Sequence, residues 1–136
     1  MKRLSTMIMT GLAGCVFGST AYAGGTPPPK SATCTIYEHR DYGGAHWTLR
    51  NGDDLKMVSA PDYGTSDGIH RFLYEPSWND KVSSFKVDPG CTLTLWEHVN
   101  HGGHHFRSGK SYKYVGDGWN DKASEAVCEC AGLPNW

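Results

Sequence analysis

Thr35-Ile36-Tyr37-Glu38-His39-Arg40-Asp41-Tyr42-Gly43-Gly44 returns in the same chain as Thr94-Leu95-Trp96-Glu97-His98-Val99-Asn100-His101-Gly102-Gly103, at a constant offset of 59 residues. Further on, Trp78-Asn79-Asp80-Lys81-Val82-Ser83 returns as Trp119-Asn120-Asp121-Lys122-Ala123-Ser124, now offset by 41. Two separate matches in the same order define an internal duplication. The change of offset means that copy one carries 18 extra residues between its two signatures. They lie within residues 54–77, a stretch containing Gly, Pro and Ser that reads as an enlarged loop.

Each copy parses into short strands. In copy two, Thr92-Leu93-Thr94-Leu95-Trp96 alternates polar and apolar residues, as a half-buried strand does. Asn100-His101-Gly102-Gly103 supplies a turn, because paired glycines accept positive φ at no steric cost. His105-Phe106-Arg107 starts the return strand, Ser111-Tyr112-Lys113-Tyr114-Val115 alternates again, and residues 123–130 end the unit. Four short strands per copy, twice, predict an all-β sandwich of two antiparallel sheets. The 17 Gly, 7 Pro, 5 Trp and 7 Tyr in 136 residues fit that class better than a helical one.

The first 23 residues read as a signal peptide. Lys2 and Arg3 precede an apolar stretch over residues 4–17, and Ala21-Tyr22-Ala23 has the small-x-small form of a cleavage site. The stretch is too short and too rich in Gly and Ser to span a membrane. An alternative is a lipobox, Leu12-Ala13-Gly14-Cys15, which would leave the protein anchored through a lipidated Cys15. Both routes imply export, to a secreted or periplasmic location in the first case. Residues 24–32 read as a flexible tether, residues 33–131 as the domain (copy one 33–89, copy two 91–131), and residues 132–136, with Trp136, as a tail. Without residues 1–23 the chain has 11 basic and 14 acidic residues, a net charge of −3. No concentrated Lys/Arg patch points to nucleic acid. Four cysteines then remain, Cys34, Cys91, Cys128 and Cys130. In a small exported domain they are disulfide candidates, and a Cys128–Cys130 bridge is disfavoured by ring strain, which leaves two connectivities open.

An aromatic residue, four intervening residues, then an aromatic and Gly occurs at Tyr37 to Tyr42-Gly43. This resembles the hairpin signature of the βγ-crystallins. Copy two is the looser match, with Trp96 but His101 in the second aromatic position. The resemblance covers roughly residues 33–130 and implies two Greek-key motifs in one interlocked domain, each lending its third strand to the other's sheet. Asn79-Asp80-Lys81-Val82-Ser83-Ser84 also resembles the calcium loop of microbial βγ-crystallins, N/D-N/D-x-x-S/T-S, at all six positions. Asn120-Asp121-Lys122-Ala123-Ser124-Glu125 fits five, with Glu125 in place of the final Ser.

The chemistry is coherent in its own terms. Ca²⁺ takes about six to eight oxygens from carboxylates, amides, hydroxyls, carbonyls and water. The same residue types also build ordinary turns by bonding their own backbone, which is the competing reading of a single loop. The resemblance implies two ions. The Asp80 side chain, the Lys81 carbonyl and the Ser83 hydroxyl would face one, and Asp121, Lys122 and Ser124 the other. The hairpin of the opposite motif would complete each site, so Glu97 is expected at the first and Glu38 at the second. Asn79 and Asn120 are expected to shape the loops, and Glu125 to weaken the second site or change its hydration.

His98, His101, His104 and His105 crowd the second hairpin and could bind a transition metal, but no carboxylate or Cys completes a tidy spacing, and an exposed polar turn is the expectation. Trp78 and Trp119, which precede the two loops, are expected in the core. No nucleophile elbow or phosphate-binding Gly loop appears, so the chain reads as non-enzymatic. Two functions follow. One is an exported calcium-binding protein of structural or stress type. The other is a secreted proteinase inhibitor, because a family of metalloproteinase inhibitors resembles a disulfide-bonded βγ-crystallin with similar Asn-Asp-x-x-Ser segments. The inserting element would then be the loop within residues 54–77.

Overall fold

The computed structural model describes residues 31–61 and 67–131; the leader with Cys15, most of the tether and residues 132–136 lie outside the described residues. Eight strands follow in chain order: β1 Thr33–His39, β2 Gly43–Arg50, β3 Asp53–Lys56, β4 Arg71–Tyr74, β5 Ser84–Val87, β6 Cys91–His98, β7 Gly102–Ser108 and β8 Glu125–Cys130. They form a three-stranded sheet in the order β2-β1-β5 and a five-stranded sheet in the order β4-β3-β8-β6-β7.

Alternation in the sequence decides which faces are buried. In β1, Cys34 and Ile36 point inward while Thr33, Thr35 and Tyr37 remain partly exposed. In β6, Cys91, Leu93 and Leu95 do the same. These residues meet Leu49, Leu55, Met57 and Phe85 in one core, which Trp78 joins and against which Trp119 packs. Both tryptophans are thus where the repeat predicted them. Ala32, assigned to the tether, is buried at its edge.

The two copies are interlocked. β3 of copy one pairs antiparallel with β8 of copy two, Lys56 opposite Glu125. In return, the Tyr112 segment of copy two pairs with β5 of copy one: Phe85 N–H donates to the Tyr112 carbonyl (3.0 Å) and Tyr112 N–H to that of Phe85 (2.9 Å). The strand expected over residues 111–115 is reduced to this isolated bridge. Its neighbours explain why. The Ser111 hydroxyl, and not a backbone carbonyl, accepts from Val87 N–H, and the flanking Gly109 and Gly116 favour turns over an extended ladder.

The insertion in copy one is more ordered than a loop. It contains β4, which lies parallel to β3 with Arg71 opposite Asp53, so the larger sheet is not wholly antiparallel as expected. A buried Asp53 fixes this register. It receives Arg71 Nε at 2.7 Å and Nη2 at 2.8 Å, while Arg50 N–H donates to its Oδ2 at 2.9 Å. A bidentate guanidinium–carboxylate pair is directional enough to hold a short edge strand.

Of the two connectivities left open, the structure contains Cys34–Cys128 and Cys91–Cys130. The first joins β1 of one sheet to β8 of the other across 94 residues of sequence. Closing a loop of that size stabilises a fold by about 4–5 kcal/mol in the chain-entropy description.

Candidate metal centre

Both signature loops turn on an aspartate with left-handed backbone, Asp80 at φ 59° and Asp121 at φ 59°. Asn and Asp enter this region more readily than other non-Gly residues, which gives the second position of the loop its residue type. The loops lie side by side. Asp80 N–H donates to the Ala123 carbonyl at 3.0 Å, and Asp121 N–H donates to the Val82 carbonyl at 3.2 Å. Each serine is tied to the hairpin strand of its own copy: Ser83 N–H donates to the Tyr37 carbonyl (3.0 Å) and Ser124 N–H to that of Trp96 (2.9 Å).

Glu38, one residue after Tyr37, shares a cleft with the loop of its own copy and with Asn120 and Asp121 of the copy-two loop. Glu97 follows Trp96, whose carbonyl accepts from Ser124 N–H. Loop side chains meet across the copies as well. Ser83 Oγ lies 3.4 Å from Asp121 Oδ1, and the Ser124 hydroxyl donates to Asn79 Oδ1 at 2.6 Å.

Glu38, Asp80, Lys81, Ser83, Asn120 and Asp121 line one open cleft of about 590 Å³, with His39, Arg40 and Tyr114. Asn120 donates through Nδ2 to Asp121 Oδ2 at 3.3 Å, while its Oδ1 is buried with no hydrogen-bond partner. Three carboxylates, a hydroxyl and an orphaned amide oxygen around one space form a hard-oxygen donor set of the kind Ca²⁺ takes. The residues therefore fit the ion that the fold implies. Two cations stand nearby: Lys81 Nζ lies 3.8 Å from Glu38 Oε2, and Arg40 packs over the Tyr114 ring at 4.1 Å. Lys81 is exposed and free to swing away.

The second set is arranged differently. Lys122 is exposed, and its N–H closes the loop on the Trp119 carbonyl at 3.2 Å. Glu97 is engaged by histidines of its own and the neighbouring strand, with His98 Nε2 at 3.7 Å and His104 Nδ1 at 3.4 Å from its Oε1. The His104 backbone N–H is the main cause of its carboxyl lying below the ordinary range. Gly103, at φ 73°, leaves room for this carboxylate; a Cβ there would lie 2.6 Å from Glu97 Oε1.

The final loop position explains Glu125. In copy one, Ser84 donates to the His39 carbonyl at 2.6 Å and accepts from Tyr42 N–H at 3.1 Å, so it fastens the hairpin turn. In copy two, Glu125 Oε2 accepts from His101 N–H at 3.0 Å, the corresponding bond. The longer side chain is fully buried, and its Oε1 receives Lys56 Nζ at 3.1 Å. Asp54 adjoins this pair, with Oδ2 3.6 Å from Lys56 Nζ. Burial first, then the hydrogen bond and charge of Glu125, raise the Asp54 carboxyl to about 8. Burial opposes ionisation of Glu125 as well, but the hydrogen bonds from Asp54 and His101 N–H, with Lys56, hold it below its ordinary value. The proton of the pair therefore rests on Asp54. Sequence reading overlooked Asp54 and Lys56; their only signal was two charged residues in a segment that alternates toward a buried strand.

His101 occupies the second aromatic position of the hairpin and acts as an aromatic there, stacking on Trp96 with centroids 5.0 Å apart and planes at 15°. The copy-one pair, Tyr37 and Tyr42, lies at 5.5 Å.

Comparison with known proteins agrees with this architecture. The fold matches a double mutant of a βγ-crystallin domain from Clostridium beijerinckii at 25% identity and TM-score 0.54, over 71% of this chain and 96% of that one. A βγ-crystallin domain from Flavobacterium johnsoniae matches at 25% identity and TM-score 0.54, over 74% and 97%. The N-terminal domain of Protein S matches at 20% identity and TM-score 0.52, over 74% and 98%, a likeness of fold alone. No curated protein sequence matches the chain significantly. The profile of peptidase inhibitor family I36 matches residues 21–108, more than half of the chain. With its two interlocked Greek-key copies forming a βγ-crystallin fold, the chain belongs to peptidase inhibitor family I36.

Proposed function

We propose that this protein is an exported, non-enzymatic calcium-binding βγ-crystallin-like scaffold, carrying a stronger site at the residues 79–84 loop and a weaker one at residues 120–125. The observation that carries the reading is the cleft in which Glu38, Asp80, Ser83 and Asp121 converge with the buried, unpartnered Oδ1 of Asn120. The Lys81 carbonyl would add a neutral oxygen. The weaker site would draw on Asp121, Lys122 and Ser124, with the Ser124 hydroxyl already bonded to Asn79 Oδ1 and Glu97 already engaged by histidines. A bound calcium would cross-link the two copies, and at about 100 times its Kd it would add about 2.7 kcal/mol to stability. Export follows the reading of residues 1–23, with the lipid anchor at Cys15 as the alternative; among the described residues no helix is long and apolar enough to cross a membrane. Two disulfides suit an oxidising compartment. Calorimetric titration with Ca²⁺ and melting with and without chelator test the proposal. Heat uptake and a raised melting temperature are expected; no heat and an unmoved melting temperature would end it.

A second reading, inhibition of a peptidase, is favoured by membership of family I36. The inserting surface would be the copy-one insertion, whose exposed apolar residues include Val58 and Ile69. The test is titration against a panel of serine and metalloproteinases beside a variant shortened between Met57 and His70. Inhibition lost on shortening supports it, and full protease activity throughout removes it.

A further inference from the structure

We propose that Asp54, His101 and Glu125 form a separate site for a divalent transition ion such as Zn²⁺, on the hairpin of copy two. Ligand atoms of all three lie within 4.8 Å of one another. His101 Nε2 is 3.5 Å from Glu125 Oε1 and 3.7 Å from Asp54 Oδ2. Around a tetrahedral ion with bonds of about 2.0–2.2 Å, neighbouring ligands stand about 3.3–3.6 Å apart, so little movement would be needed. One imidazole and two carboxylates suit Zn²⁺ or its neighbours better than Ca²⁺, which prefers oxygen throughout.

Three features make this a built arrangement and not a chance meeting of surface charges. First, both carboxylates are almost wholly buried, Asp54 at 1% and Glu125 at 0% exposure, and Asp54 Oδ1 is buried with no hydrogen-bond partner. Second, the ring that would supply the nitrogen is held by its stack on Trp96, with His105 tilted against the same indole at 4.8 Å. Third, the other oxygen of Glu125 is occupied by His101 N–H, so Oε1 is the atom turned to the imidazole. The imidazole is half exposed, which opens an entry path. Lys56 Nζ contacts the same carboxylates and offsets one of their two charges when both are ionised; a divalent ion would neutralise the surplus and need not expel the ammonium, which also donates to Asn100 Oδ1 at 3.1 Å.

The test is titration of the full disulfide-bonded chain with Zn²⁺, and with Co²⁺ as a spectroscopic probe, in saturating Ca²⁺. The comparison variant is His101→Phe, which keeps the stack on Trp96 and removes only the nitrogen. One equivalent bound by the wild type, weakened about tenfold or more in His101→Phe and unchanged in His104→Ala, is the expected result. No uptake by the wild type overturns the proposal, as does equal uptake by His101→Phe. Loss of uptake in His104→Ala alone would also overturn it, by moving the ion to Glu97, His98 and His104.

Discussion

The two signature loops share backbone conformation, reciprocal hydrogen bonds and a preceding tryptophan, yet they end on different residues, and the hairpins they fasten differ accordingly. In copy one, Ser84 is a neutral clasp between His39 and Tyr42. In copy two, Glu125 makes the equivalent bond to His101 N–H but brings a buried charge, which Lys56 answers from a strand of the other copy. Glu125 is thus the structural counterpart of Ser84: the last position of each loop holds the hairpin turn.

The largest effect expected from this contrast is that of Glu125→Ala. It removes the carboxylate nearest the buried Lys56 ammonium, leaving that group to Asp54 and Asn100, and orphans His101 N–H; chemical denaturation should register a loss of about 3–5 kcal/mol. Ser84→Ala removes only neutral bonds and should cost about 1–3 kcal/mol; a larger loss than that of Glu125→Ala would show that the two clasps are not equivalent in the way described. On calcium affinity, Ser83→Ala should lose about tenfold and Ser124→Ala less, because the Ser124 hydroxyl is already committed to Asn79 Oδ1 and Glu97 to the histidines. Calorimetry giving equal or reversed losses would invert the ranking of the sites.

The smallest effect belongs to the insertion, which copy two lacks. His70 lies 2.6 Å from Asp67 and 3.6 Å from Glu129. Burial pulls its pKa down, but Asp67, through its hydrogen bond and charge, Glu129 and the more distant Asp54 outweigh that and leave it raised. Asp67 is correspondingly lowered, chiefly by its bond to His70. A raised folded pKa means that the stabilisation is complete below the unfolded histidine value of about 6.5 and is lost as pH rises through the folded value. Melting curves of the wild type should therefore fall slightly more with rising pH than those of His70→Ala, and parallel curves would contradict the pairing.

Much of this was legible in the residues. The offset of 59 between the hairpins and of 41 between the loops gives the duplication and the position of the insertion, and the alternation in Thr92-Leu93-Thr94-Leu95-Trp96 gives a strand that is one. The insertion was misjudged as a loop because β4 is only four residues long and its register rests on Asp53 and Arg71, 18 positions apart. The segment over residues 111–115 was misjudged in the opposite sense, since alternation says nothing about whether a side chain will take the place of a ladder bond.

By itself the sequence determined the two copies, the all-β class, the oxygen-rich loops and the buried tryptophans, because each depends on residue type and local spacing. Tertiary structure alone decided that residues of both loops line one cleft, which cysteines join, and what Glu125 contacts. Those outcomes depend on strand pairing between residues far apart in the chain: Ser83 with Tyr37, Lys56 with Glu125, and Cys34 with Cys128. Local periodicity fixes which face a side chain presents, but its partner is set only when the sheets have closed around the core.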